Sequence, residues 1–158
     1  MATPPPMSID TSATYRATIS TAKGTIVMDL DPSIAPLSVN NFVTLARDGF
    51  YDGLTFHRVE PGFVIQGGCP QGTGTGGPGY KFADEPVVGE YVKGAVAMAN
   101  AGKNTNGSQF FVCLDDLRGG LAKNYNLFGQ VVEGLDVVDA IARGDVMTSV
   151  TIEEIPAG

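Results

Sequence analysis

From Tyr15 the chain alternates apolar and polar positions: YRATIST, then AKG, then TIVMDLD. Tyr15, Ala17 and Ile19 point one way along the first run, and Ile26, Met28 and Leu30 do likewise on the second. Successive strand side chains leave on opposite faces, so two such runs around a glycine-containing turn predict a β-hairpin. The period then changes. Val39, Phe42, Val43 and Ala46 fall at i, i+3, i+4 and i+7, one face of a helix that Pro36 suits as a first turn and that stops near Asp48-Gly49. Short strand-like pieces follow: LTFHRV, GFVIQGG, GAVAMAN, SQFFVCL, NLFGQVV and VMTSVTIEEI. Before the last of them, Leu135 to Arg143 reads as a second helix, with Leu135, Val138 and Ile141 on one face. Many strands with only two helices, and no βαβ alternation, predict a mainly β fold built as an antiparallel barrel or sandwich. A barrel also removes the exposed edges that so many short strands would leave.

Length and composition narrow the picture. A chain of 158 residues fits one domain, expected over residues 14–158, behind a flexible N-terminal tail over residues 1–13. Hydrophobic residues make up 43%, too many for a disordered chain. The 21 glycines are about twice the roughly 11 that average usage would place in a chain of this length. No apolar run is long enough for a transmembrane helix, and the opening residues lack the basic start and apolar stretch of a secretory signal, so a soluble cytoplasmic protein is expected. Ten basic residues stand singly against 17 acidic ones, a net charge of −7, which argues against nucleic acid or an anionic membrane as partner. Cys69 and Cys113 are too few for a disulfide scaffold and lack metal-ligand spacing. Cys69 is flanked by Gly68 and Pro70, and nothing near it in sequence indicates a lowered pKa. His57, the one histidine, lacks partners for a zinc site or a Ser–His–Asp triad and reads as structural.

Several motifs fail on context. Gly72, Gly74 and Gly77 fit G-x-G-x-x-G, but Pro78-Gly79 follows where a dinucleotide site needs a helix to begin, so the segment reads as a surface loop. Asn106-Gly107-Ser108 matches a glycosylation sequon and is better read as a turn. Packing leaves two segments unexplained. In FHRVEPGFVIQGG, Phe56 and Arg58 share one side of a strand, a cation beside an aromatic, with Gln66 just beyond the turn at Glu60-Pro61-Gly62. In AMANAGKNTNGSQFFVCL, a polar turn joins an apolar strand to Gln109-Phe110-Phe111, and one of the two phenylalanines must face the core. Aromatics with one Arg and one Gln fit a concave ligand site, but periodicity alone does not separate that reading from ordinary core and surface.

At these two segments the sequence strongly resembles the cyclophilin family of peptidyl-prolyl isomerases. FHRVEPGFVIQGG and MANAGKNTNGSQFFV look like its two signature stretches, and NLFGQVVEGLDVVDAI like the strand and helix that follow. The resemblance runs from about Thr14 to Ile155 and implies a closed eight-stranded antiparallel barrel capped by two helices, a monomer, with no metal or organic cofactor. It makes Arg58 the catalytic arginine and Gln66 the glutamine that orients it and contacts substrate backbone. It assigns Phe63, Val64, Phe111, Leu121 and Tyr125 to the proline pocket. Ala99 and Asn100 match the strand edge that pairs with a peptide, and Gln109 a further substrate-contacting position. His57 belongs to the FHR motif without being the catalytic group.

The implied partners are proline-containing peptides and unfolded or flexible chains, and the implied activity is rotation about X–Pro bonds in support of folding. The main alternative is a cyclophilin-like module that binds proline peptides without catalysis. Gly120 stands where many relatives carry a tryptophan that contributes to cyclosporin binding, so weakened cyclosporin affinity with retained isomerase activity is expected. Tyr125 replaces a common histidine, Val64 a common methionine and Lys103 a frequent proline, changes that reshape the pocket wall and its rim.

Overall fold

The structure is a computed structural model that describes residues 3–157. The hairpin forms as its alternation predicts: β1 (Thr14–Thr21) and β2 (Gly24–Leu30) pair antiparallel, with Ala17 opposite Met28 and Ile19 opposite Ile26, all four buried. Helix α1 (Pro36–Arg47) follows, and its apolar stripe of Val39, Phe42, Val43 and Ala46 is buried. Gly49, at φ +76°, donates its N–H to Ala46 O and ends the helix where expected. The other end has no local cap. The Glu85 carboxylate, far away in sequence, accepts from the N–H groups of Leu37 and Ser38 at 2.8 and 2.9 Å, satisfying first-turn donors that have no partner within the helix.

Six further strands complete one sheet: β3 (Arg58–Glu60), β4 (Val64–Gly67), β5 (Ala95–Met98), β6 (Phe110–Cys113), β7 (Leu127–Glu133) and β8 (Ser149–Ile155). Every pairing is antiparallel, in the order β3-β4-β6-β5-β7-β2-β1-β8. The mainly β, two-helix architecture is as expected, but the strand ladder does not close. β3 and β8 are its two ends and do not pair with each other. The irregular segments leading into them meet instead: Met147 N–H donates to Leu54 O at 2.8 Å and Phe56 N–H to Asp145 O at 2.9 Å. β3 is only three residues long because the turn at Pro61-Gly62 cuts it short, and that leaves little strand to pair across the gap.

Helix α2 (Leu135–Ala140) is shorter than its predicted span to Arg143, because Ile141 is extended and Ala142 donates its N–H to the Asp145 carboxylate. Val138 and Ile141 pack inward, whereas Leu135 is exposed. The helix springs from Gly134, whose φ of +87° and contact with the Thr25 carbonyl leave no room for a side chain.

Met1 and Ala2 of the expected tail, and Gly158 at the domain end, lie outside the described residues. Within the tail, Ser8 N–H donates to Asn40 Oδ1 at 3.0 Å, Asn40 Nδ2 to Pro6 O at 3.2 Å, and Ile9 is buried.

Strands β4, β5 and β6 are covered on both faces. Ile65, Val96, Met98, Phe110 and Val112 point into the main core, where Phe110 meets Phe42 and Tyr51 edge-on at ring-centroid distances of 5.3 and 5.7 Å. Their neighbours Val64, Ala95, Ala97, Phe111 and Cys113 point the other way into a second, smaller cluster with Tyr91 and Leu127. Strand alternation alone makes this division.

Candidate active site

The second cluster is the floor of a cavity. Val64 and Phe111 are nearly fully buried, and Phe63, Leu121 and Tyr125 pack against their cluster as partly buried walls. Phe63 comes from the turn between β3 and β4, and its N–H bonds back to Glu60 O at 2.9 Å. Leu121 sits on a turn whose N–H groups at Gly120 and Leu121 both donate to Leu117 O. Tyr125 lies edge-on to Phe111, with ring centroids 5.4 Å apart at 85°. Its backbone is held by a residue that the sequence reading missed: the Tyr91 hydroxyl donates to Tyr125 O at 2.5 Å and accepts from Tyr125 N–H at 3.1 Å. Burial pushes that phenol up to about 12, so it remains a donor at any physiological pH. The cavity is about 340 Å³, within the size range of small-ligand sites.

The polar side of the cavity is a pair of residues facing across β3 and β4. Arg58 lies opposite Gln66 in the strand register, and its Nη1 donates to Gln66 Oε1 at 3.3 Å. The expected pairing of Arg58 with Phe56 does not occur. Phe56 precedes the strand and turns into the main core, while the guanidinium stands over Phe63, 5.8 Å from the ring centroid. Its contact with Glu60 is long, 3.6 Å, and exposed, so the cation is not firmly paired.

Ala99 and Asn100 form the opposite rim. Ala99 N–H bonds to Gln109 O at 3.0 Å. The Asn100 side chain is taken up locally, donating to Asn124 O at 2.8 Å and accepting from Gly102 N–H at 3.1 Å, while no described residue hydrogen-bonds to its backbone. An extended segment could pair with that edge.

Nine of the ten residues singled out from the sequence therefore line one cavity. Gln109 is the tenth, and lines an adjoining cavity that shares Gln66, Ala99 and Asn100 with the first. Its Oε1 accepts from Gln66 Nε2 at 3.1 Å, and its own Nε2 donates to Gly74 O and Gly76 O, both at 2.9 Å.

The glycine-rich segment read as a surface loop is thus tied to the site. It is also tied to itself, since Gly74 and Gly76 donate their N–H groups to Cys69 Sγ at 3.3 and 3.2 Å. Burial pushes the Cys69 thiol up, but the backbone N–H groups of Gly76, Thr73, Gly74 and Gln71 together outweigh it and bring the thiol down to about 7. Sequence gave no sign of this, because the donors come from residues that only the fold of the loop turns inward. His57 lies behind the loop, outside the cavity lining. Burial, and then the Arg58 charge, hold its pKa below the usual histidine value against an opposing contact with Gln109, which keeps it neutral at pH 7.

The arrangement brings one cation to the mouth of a cavity with an apolar floor, beside the backbone of Asn100, which has no hydrogen bond among the described residues. Residues 16–156 match the family model described as cyclophilin type peptidyl-prolyl cis-trans isomerase/CLD. A peptidyl-prolyl cis-trans isomerase of Helicobacter pylori is 50% identical over 141 residues, covering 87% of this chain and 86% of that protein. Peptidyl-prolyl cis-trans isomerase B of Bacillus subtilis is 51% identical over 130 residues, covering 81% and 90%. A crystal structure of a cyclophilin-type peptidyl-prolyl cis-trans isomerase from Cryptosporidium parvum, solved in the presence of the dipeptide Ala-Pro, superposes with a TM-score of 0.80 at 32% identity and covers 87% of this chain and 98% of that one. The chain belongs to the cyclophilin-type peptidyl-prolyl cis-trans isomerases.

Proposed function

We propose that this isomerase turns over X–Pro bonds by aiming the Arg58 guanidinium at the proline nitrogen while the cavity of Phe63, Val64, Phe111, Leu121 and Tyr125 holds the ring. The barrier to rotation, about 18–20 kcal/mol, reflects the partial double bond between carbonyl carbon and nitrogen. As the bond twists, the nitrogen regains a lone pair that the planar amide lacks. A donor aimed at that lone pair binds the twisted amide better than either planar isomer, which is the condition for catalysis. A 10⁴-fold acceleration needs only ~5–6 kcal/mol, within reach of one charge-assisted bond, orientation and partial desolvation, so neither nucleophile nor general base is required. Gln66 holds the guanidinium in line and offers its amide to the substrate backbone. Ala99 and Asn100 hold the peptide as an added strand, fixing one side of the bond while the other turns.

One observation carries this reading: a weakly paired guanidinium held by Gln66 at the mouth of a cavity floored by Val64 and Phe111. The Ala-Pro dipeptide present with the Cryptosporidium parvum relative supports proline peptides as ligands.

Flexible and unfolded chains are the proposed clients, since their X–Pro bonds are accessible, and assistance to folding follows. The chain is proposed to work as a monomer with an N-terminal tail and one domain. Its two free cysteines fit the reducing cytoplasm. The net charge of −7 argues against nucleic acid and anionic membranes as partners. At Gly120 a side chain is missing beside Leu121, and cyclosporin is expected to bind weakly while catalysis persists; tight inhibition in a titration would contradict that. The direct test of the mechanism is an isomerisation assay on wild type and Arg58→Ala. The variant should lose most of the acceleration, and a fully active variant would remove the arginine from the mechanism.

A further inference from the structure

We infer that Gln109 is a positioning residue: anchored on the glycine-rich loop, it fixes which end of the Gln66 amide faces Arg58. A carboxamide has a donating nitrogen and an accepting oxygen, so a chain of them has a direction. Here both ends of the chain are determined. At one end are two backbone carbonyls, Gly74 O and Gly76 O, which only accept. At the other is a guanidinium, which only donates.

Gln109 Nε2 is 2.9 Å from both carbonyls, which commits its two N–H groups and turns Oε1 toward Gln66. Gln66 must then present Nε2 to that oxygen, at 3.1 Å, and Oε1 to Arg58 Nη1, at 3.3 Å. Reversing Gln66 would set nitrogen donors against the guanidinium and oxygen against oxygen at Gln109. The two carbonyls thus decide, through two side chains, that an acceptor faces the arginine.

The loop is built to hold those carbonyls. Gly74 and Gly76 donate their N–H groups to the buried Cys69 Sγ while their oxygens converge on Gln109. Gly74 has φ +88°, where a side chain is strained, and a Cβ at Gly76 would displace the Gln71 side chain and press on Cys69 Sγ at 3.2 Å. The resemblance implies that Gln109 contacts substrate. In this chain both its N–H groups are already used, so only the second lone pair of Oε1 is left for a substrate donor.

This inference rests on the proposed role of Arg58, and the test separates the two. Exchange NMR on an Ala-Pro peptide gives kcat and KM for wild type, Gln109→Leu, Gln109→Glu, Gln66→Leu, the Gln109→Leu/Gln66→Leu pair, and Arg58→Ala, each first checked for an unchanged thermal transition. Gln109→Leu should lower kcat about tenfold with KM nearly unchanged, the signature of lost transition-state interaction. Gln109→Glu, of equal size, still offers Gln66 Nε2 an acceptor and loses only the donors that anchor it on the loop, so it should lower kcat less than Gln109→Leu does. The paired variant should be no slower than Gln66→Leu alone, since Gln109 acts through Gln66. A rise in KM at constant kcat, a Gln109→Glu variant slower than Gln109→Leu, or additive losses in the pair would each overturn the inference. If Arg58→Ala keeps the wild-type kcat, the arginine mechanism itself fails. If Arg58→Ala is impaired and the Gln109 variants are not, only the positioning role fails.

Discussion

The two faces of β4, β5 and β6 are made of similar residues and do different things. Phe110 and Phe111 are adjacent, nearly equally buried and in the same strand. Phe110 is enclosed by Phe42, Tyr51 and Phe56. Phe111 is met by Tyr125 on one edge and otherwise looks into the cavity beside Arg58 and Gln66. Composition does not distinguish the faces. What distinguishes them is whether the covering element is a packed helix, as α1 is, or separate side chains on turns, as Phe63, Leu121 and Tyr125 are. The incompletely covered apolar face next to the cation is the one we propose as the binding site; the fully covered one is the core.

The contrast can be broken first at its centre. Phe110→Ala should cost about 3–5 kcal/mol of stability, the range for a large aromatic removed from a closed core. Phe111→Ala should cost clearly less stability but most of the isomerase activity, because the cavity already supplies the space. Denaturant unfolding and an isomerisation assay on both variants check this; equal stability losses would mean that the faces are energetically alike.

The cysteines sharpen the same contrast. Cys113, on the outer cluster, has its thiol pushed by burial up to about 12, whereas the loop amides bring Cys69 down to about 7 from an ordinary value of 9. A folded pKa below the unfolded one stabilises the fold when the thiol is ionised. The Cys69 contribution should therefore grow as pH rises from about 7 to 9 and be lost as pH falls below 7, reaching at most about 2–3 kcal/mol. Unfolding measured across pH 6–9 should show this slope in wild type and lose it in Cys69→Ala. A ¹³Cβ titration should place the Cys69 midpoint near 7 and show none for Cys113 below pH 10.

A smaller effect is expected at the wall. Tyr91→Phe removes the hydroxyl that holds the Tyr125 backbone, and should cost about 1–2 kcal/mol while weakening peptide binding. Thermal unfolding and peptide titration report the two parts. The gentlest test changes nothing in the protein. On adding an Ala-Pro peptide, the methyl NMR signals of Val64, Ala99 and Leu121 should move and those of Ile65 and Val112 should stay.

The hairpin, α1 and the two signature stretches were legible because their signals are local: a period of two or 3.6, a glycine after a stripe, a run of residues at fixed spacing. The residues of the cavity were legible by resemblance, and their convergence needed the fold. Other features depend on distant partners. The Glu85 cap on α1, the Tyr91 clamp on Tyr125 and the amides around Cys69 join residues whose pairing no sequence period encodes. The direction of the Gln109 amide is the clearest case. The resemblance makes Gln109 a substrate contact, and the two loop carbonyls that take up its N–H groups come from 35 and 33 residues away. The closed barrel was implied by the resemblance, yet the short β3 leaves irregular backbone between the sheet's ends.

The central claim is that Arg58 acts on the twisted amide and contributes little to holding the ground state. The measurement that addresses it is the exchange rate of an Ala-Pro peptide at saturating enzyme, taken beside the peptide's Kd, for wild type and Arg58→Ala. The account predicts a rate at least about 100-fold lower, a loss of about 3 kcal/mol from the transition state, with Kd changed less than threefold. A weaker Kd with an unchanged saturating rate would contradict it and make Arg58 a binding residue only.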